Sequence, residues 1–317
     1  MIITRPTYYA TLPLCFIAIW FWNGCSSPTE EHQKTAKLPQ AHALLATQFS
    51  SLDDLRQVVT IHYKQTKDST HGTVDLVYKN NGDTISYSLS EGITQGDISD
   101  ARSGNIWDKV KLTYLSPYAV WNRKELSQIY MLARHNPSIF GENDAAFYDL
   151  ARSIMRKIAI TDGAFNNFRD SLEKGYINTF NHITAQALIT ALYDEKMANY
   201  VAMVHERHHM PQLVSGLFSK EQLSDTLNFP VDNYVDIINN ELGQELGKFL
   251  KEELNITKKT KWTPQFTADF LNIILDYYAA SFQLIITPYT AHNPLIIRFS
   301  QKIEIIQEGK SYIHAIH

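Results

Sequence analysis

Asp236, Asn240, Gly243 and Gly247 constrain this chain more than any other group of residues. They recur at i, i+4, i+7 and i+11 among Ile237, Ile238, Leu242 and Leu246, so on a helix they share one face. Two glycines inside a helix cost about 1 kcal/mol each relative to alanine, and a close helix–helix crossing is the natural compensation. Asp236 and Asn240 continue the same face, so such a crossing leads directly into polar groups. Matching features stand upstream: Asn178 and His182 are four apart, and His205 is adjacent to Glu206. Three helices turning amides, carboxylates and imidazoles inward build a polar pocket in a helical bundle. A glycine-lined packing seam with polar residues at its wet end accounts for the glycines without a pocket.

The chain has 317 residues, 44% of them hydrophobic and 20% charged, with 11 Pro and 13 Gly, which is a globular composition. A formal net charge of -4 supplies no basic field for nucleic acid, so none is expected as a partner. Residues 8–22 form an apolar run after Arg5, shorter than the roughly 20 residues of a spanning helix. The run ends in Trp22-Asn23-Gly24-Cys25 and gives way to Ser26-Ser27-Pro28-Thr29-Glu30-Glu31. This resembles a bacterial lipoprotein signal, which implies cleavage after residue 24, lipid on Cys25, and a place in the cell envelope, at the outer membrane. An uncleaved N-terminal anchor is the alternative. With Cys15 discarded and Cys25 acylated, the mature chain offers no disulfide, thiol nucleophile or thiolate ligand. Its chemistry must then use His, Asp, Glu, Asn, Ser, Thr, Lys or Tyr.

The expected architecture is mainly α, a helical bundle core with a small, partly β N-terminal subdomain. Residues 25–45 are polar and unpatterned, as in a tether. Residues 46–120 form the subdomain. Ser51 caps a helix there, and the period-2 runs 73–78 and 84–89 flank Asn80-Asn81-Gly82-Asp83 as a β-hairpin. Residues 121–290 read as helical, with segments near 144–158, 164–174, 177–193, 195–209 and 231–253. Residues 264–286 are long and apolar, but Asp269, Asn272, Asp276 and Gln283 interrupt them, so a buried central helix is expected rather than a membrane span. In the tail, 291–317, the stretch 295–306 has strand character and could pair with the hairpin.

His205-Glu206-Arg207-His208-His209 satisfies H-E-x-x-H, in which two histidines one turn apart bind zinc and the glutamate activates water. Pro211 leaves the supporting helix little room, and no third ligand has distinctive spacing; Glu221, Glu241 and Glu245 are the candidates. A divalent metal therefore stays an open cofactor. His182, with Asn178 one turn before it and Ala185 beyond, is either a tunable imidazole or a core histidine bonded to a carbonyl.

Three elements together resemble a known family. They are Asn178-Thr179-Phe180-Asn181-His182, then His205-Glu206, then Asp236-Ile237-Ile238-Asn239-Asn240-Glu241-Leu242-Gly243. In order and rough spacing they are similar to the Phe-x-His, His-Glu and Asp-x-x-Asn-Asn-x-x-Gly pattern of bacterial Wnt-like domains of the Lipocone superfamily, over residues 164–255. Asn178 stands where that pattern has Asp, Asn181 where it has Arg, and Ile238 where it has His.

The resemblance implies a membrane-anchored hydrolase or transferase acting on phosphate linkages of lipid head groups or lipid-linked envelope precursors. In that scheme His182 is nucleophile or base and His205 the acid. Glu206 orients an imidazole, and Asp236, Asn240 and Asn178 brace His182, substrate or a metal. Two other functions fit the residues. One is a zinc metalloprotease using His205, Glu206 and His209. The other is a non-catalytic surface lipoprotein that binds lipid or glycan, favoured by the Asn178 and Asn181 departures.

Overall fold

The computed structural model describes residues 49–65, 72–80, 83–160, 165, 168–225 and 229–309. The expected signal, Cys25, the tether, the Asn81-Gly82 turn and residues 310–317 lie outside this set. The fold is mainly α with one small antiparallel sheet. Helix α1 (Leu52–Arg56) leads into β1 (Val59–Gln65), β2 (Gly72–Asn80) and β3 (Asp83–Ser90). Five helices follow: α2 (Gln95–Ser103), α3 (Ile106–Leu115), α4 (Pro117–Trp121), α5 (Arg123–Ala133) and α6 (Pro137–Phe140). The larger helical part comprises α7 (Phe147–Met155), α8 (Asn178–Leu192), α9 (Glu195–His209), α10 (Lys220–Ser224), α11 (Pro230–Glu253), α12 (Pro264–Phe282) and α13 (Pro294–Glu308). All belong to one compact unit.

Local chemistry starts these elements where the sequence signals them. Ser51 accepts from the Asp54 N–H, Asp194 from Met197 and Thr263 from Phe266, each satisfying an orphan donor of a first helical turn. Proline stands at the start of α4, α11, α12 and α13, where its missing N–H is harmless. In the hairpin, Val74 opposes Leu89 and Leu76 opposes Tyr87; β1 adds a third strand, with Val59 opposite Tyr78. Alternation puts Val59, Val74, Leu76, Tyr78, Ile85, Tyr87 and Leu89 on one buried face.

That face packs on α11 through Tyr234, Val235, Ile238 and Leu242. Tyr63 and Tyr234 share a hydroxyl–hydroxyl hydrogen bond of 2.9 Å, and Tyr234 donates to the Leu213 carbonyl at 2.8 Å. The other side of α11 carries Leu246 and Leu250 into a second, larger core with Phe180, Ile183 and Ala187 of α8 and Phe270, Leu271 and Ile274 of α12. Covered on both sides, α11 is buried nearly all round, which is why its polar residues cannot simply face water. Asp269, Asp276 and Gln283 of the 264–286 segment are exposed, while Phe270, Ile274 and Tyr278 are buried. No described helix is long and apolar enough to cross a membrane.

Three local expectations are corrected. The 295–306 stretch is not a strand: it lies in α13, with Ile296, Phe299, Ile303 and Ile306 buried at helical spacing. Its many isoleucines suggest a strand, but Asn293 accepts from the Leu295 and Ile296 N–H groups with Pro294 behind it, and that cap with the three-to-four spacing wins over β propensity. Lys302 then locks α13 down, its ammonium donating to Asp144 Oδ2 at 2.9 Å and to the Ala145 carbonyl at 2.7 Å. The described part of 164–174 is likewise not a continuous α-helix. It is a 3-10 turn at Phe168–Ser171 followed by a π turn at Glu173–Ile177 that runs into α8. At Gly175 the chain folds back so tightly that a Cβ would lie 2.4 Å from the Asp170 carbonyl oxygen. Finally, α12 ends at Phe282 because Gln283 takes a left-handed conformation (φ 53°), its N–H closing on the Ala279 carbonyl. Ile285 is consequently exposed.

Candidate functional site

The glycine seam is a crossing of α11 on α8. A Cβ on Gly243 would stand 2.7 Å from the Ile183 carbonyl oxygen, and one on Gly247 2.6 Å from Thr190 Cβ. At this separation polar side chains of the two helices meet in a ladder with one-turn rungs. Asn178 Nδ2 donates to Asp236 Oδ1 at 2.9 Å, His182 Nδ1 to Asn240 Oδ1 at 3.0 Å, and Gln244 Nε2 to Gln186 Oε1 at 3.3 Å. Each rung joins residues 58 apart in the chain, so the helices run parallel and in register.

From α9, Glu206 reaches the middle rung and accepts from Asn240 Nδ2 at 3.0 Å. Asn240 thus lies between the two, its oxygen toward the His182 ring and its nitrogen toward Glu206, a placement in which Nδ1 carries the His182 proton. The second nitrogen, Nε2, points at Asp236 Oδ2, 3.4 Å away. The ladder also extends one turn toward solvent. Asn178 Nδ2 lies 3.4 Å from Asp232 Oδ1, and Lys174 Nζ donates to Asp232 Oδ2 at 2.5 Å. Polar contacts thus run without a break from exposed Lys174 through Asp232, Asn178, Asp236, His182 and Asn240 to buried Glu206.

His205 approaches from α9 without joining that chain. Its ring centroid is 6.2 Å from that of His182 and 4.4 Å from that of His209, and its Nδ1 donates to Gln95 Oε1 at the start of α2 at 3.0 Å.

Burial sets the charge states. Desolvation pushes the Glu206 carboxyl up to about 8. Desolvation, reinforced by Asp232, also holds Asp236 well above the usual carboxylate range, despite its contact with His182. Both effects favour the protonated carboxyl, so burial weakens the His182–Asp236 contact as an ion pair. Desolvation, with the neighbouring His182 and His209, lowers His205 to about 3. That imidazole is neutral, with its Nδ1 proton donated to Gln95. Partial burial pulls the Lys174 ammonium down, but Asp232 and Asp236 outweigh it and hold the group above its usual value.

The structure thus brings together His182, Asp236, Asn240, Asn178 and Glu206, with His205 beside them. The zinc pattern does not assemble in the same way. Glu206 is turned to Asn240, away from the role of activating a water, while the Gln95 contact at His205 Nδ1 leaves the metal question to the remaining ligands. Glu221 and Glu245 are exposed, and Glu241 is half-buried on α11. Among the described residues no group of three or more His, Cys, Asp or Glu side chains is placed to hold a metal ion. The donor set does not fit a resident zinc.

Sequence reasoning missed Lys174, Asp232, Gln186 and Gln244. All four continue the i, i+4 spacing of the named faces, so extending the period by one turn in each direction finds them. Gln95 carries no such signal, because only the fold brings α2 against α9.

Comparison of the chain with protein-family models, with curated proteins and with solved structures finds no significant match to any of them.

Proposed function

We propose that this chain is a membrane-anchored hydrolase or transferase that acts on phosphate linkages of lipid head groups or of lipid-linked envelope precursors. The observation that carries the reading is the pairing of two differently prepared imidazoles with ring centroids 6.2 Å apart. His182 Nε2 stands 3.4 Å from the Asp236 carboxyl, while burial keeps His205 neutral. Cleavage of a phosphoester needs a base for the attacking oxygen and an acid for the leaving oxygen. Burial keeps His205 neutral, so it cannot supply a proton in the acid role that the resemblance implied; it is left to accept one, and the negative charge of a bound phosphate would raise its low basicity. His205 Nε2 takes the proton of the attacking water or hydroxyl as the new P–O bond forms. The His182–Asp236 pair delivers its proton to the leaving oxygen as the old bond breaks. Asn240 and Glu206 hold His182 in the required tautomer, as the third member does in triad logic.

Lipid on Cys25 would hold the domain beside such a substrate and raise its effective concentration there. In the test, lipid vesicles carrying phospholipid, lipid-linked sugar or lipid-linked peptidoglycan are incubated with the protein and released phosphorylated head group is measured. His182→Ala and His205→Ala should keep the wild-type fold and lose about 10²–10⁴-fold in rate. A wild-type protein inert on all three substrates overturns the catalytic reading. One observation favours the non-catalytic alternative: both ring nitrogens of His182 are already engaged. If the protein is inert but binds those vesicles or their glycans through the same residues, binding is its function.

A further inference from the structure

Helix α3 has ten residues and none of them is buried. Ile106, Val110 and Tyr114 follow one another at one-turn spacing with Trp107 alongside, forming one continuous apolar arc. Trp107 is 75% exposed and Tyr114 86%, and Ile106 and Val110 are more than half exposed. Trp121, at the end of α4, is 81% exposed. Large apolar side chains gathered like this on one protruding helix mark an interaction surface rather than ordinary surface scatter.

The chemistry of the margins identifies the partner. Lys109 borders the arc on one side, Lys111, held by Asp97, lies on the other, and exposed Arg123 and Lys124 follow Trp121. No acid lies on the arc: Asp108 is turned back to accept from the Asn105 N–H, and Asp97 is paired with Lys111 at 3.3 Å. On its inner side α3 packs Leu112 against the cluster of Ile93, Ala119, Tyr200 and Val204, so it is seated on the domain rather than awaiting a core. Tryptophan and tyrosine on an apolar arc with lysine margins match a bilayer interface, with rings at head-group level and ammonium groups reaching anionic phosphates.

We propose that α3 and the end of α4 dock the domain onto the surface of an anionic lipid bilayer. A tether from Cys25 sets distance to the membrane but not orientation; insertion of Ile106, Trp107, Val110, Tyr114 and Trp121 sets orientation. Helix α2 touches both regions: Asp97 holds Lys111 of α3, and Gln95, two residues earlier, holds His205 beside the ladder. The proposal rests on the membrane placement put forward above and is independent of the chemistry.

The test uses the full chain anchored on vesicles of phosphatidylethanolamine and phosphatidylglycerol in equal parts, with bromine on the acyl chains as a tryptophan quencher. Trp107→Phe/Trp121→Phe should remove a quenched component of the emission. An equal quenched intensity in the variant and the wild type overturns docking. Amide exchange over residues 106–115 should slow on vesicles, and Val110→Asp should reverse that protection by about tenfold or more, the scale of losing one large buried apolar side chain. Protection that appears without vesicles and grows with protein concentration assigns the face to a second copy and overturns the membrane reading. Exchange over residues 106–115 that is equally slow with and without vesicles overturns docking as well. His182→Ala leaves both readouts at wild-type values, so loss of the catalytic reading and loss of docking are separately visible.

Discussion

At the scale of single residues, the site is defined by what burial does to three side chains. Glu206 ionises near its ordinary 4.5 in the unfolded chain and at about 8 when folded, so the native state holds the extra proton between those values. Its contribution to stability is therefore fully present below about 4.5 and is lost as pH rises to about 8. Asp236 acts with the same sign, and so does Glu241, which burial and Glu195 raise to about 7. His205 acts in the opposite sense: lowered from 6.5 to about 3, it stays neutral in the native state while the unfolded chain takes up a proton, so stability rises with pH across that interval. The opposing effects overlap below pH 6.5, and above it the carboxyls act alone. Urea midpoints measured from pH 6.5 to 8 should fall, and Glu206→Gln should flatten part of that fall while Asp236 and Glu241 retain the rest. An equal fall in Glu206→Gln and in the wild type would show that Glu206 is ionised in the fold over this window.

The element that matters most is the α8–α11 pair. Its polar rungs are in register because Gly243 and Gly247 let the backbones approach, and Thr190 Cβ already sits where a side chain on Gly247 would go. Gly247→Ala should overpack this seam and cost about 1–3 kcal/mol in denaturant unfolding, even though alanine is the better helix former. An unchanged or raised stability would mean that the helices do not meet this closely in solution. Gly243→Ala lies nearer the rungs, one turn from Asn240, and pushes on Ile183 and Gln186 instead. The π turn before α8 belongs to the same device: it brings Lys174 onto the face of Asn178, from where it reaches Asp232.

For the whole molecule, the small sheet and the helices share α11. The buried face of the sheet and Tyr234, Val235, Ile238 and Leu242 form one cluster, and Tyr87 of β3 donates to Asn199 Oδ1 of α9 at 2.9 Å. A sheet bound this way should not melt by itself. Leu76→Ala, at a fully buried position in the middle strand, should cost about 2–5 kcal/mol and lower the far- and near-ultraviolet circular dichroism transitions together. Two separated transitions, with only the first moved by the substitution, would show that the sheet unfolds independently of the bundle.

Much of this was legible in the chain itself, because helical period, caps and prolines are local signals. Helices α8, α9 and α11 lie within a residue or so of where spacing places them, and Asp236, Asn240, Gly243 and Gly247 do share a face that meets another helix. The tail was misread because isoleucine-rich runs favour strands in isolation, and only the surface waiting for Ile296, Phe299, Ile303 and Ile306 selects the helix. What the sequence by itself determined is which polar groups lie on which face. Which of them touch was decided by tertiary structure alone. Register between α8 and α11, the approach of Glu206, and the meeting of His205 with Gln95 depend on packing across long stretches of chain. Proton positions depend on it too, since an imidazole at about 3 and a carboxyl at about 8 exist only once burial has stripped them of water.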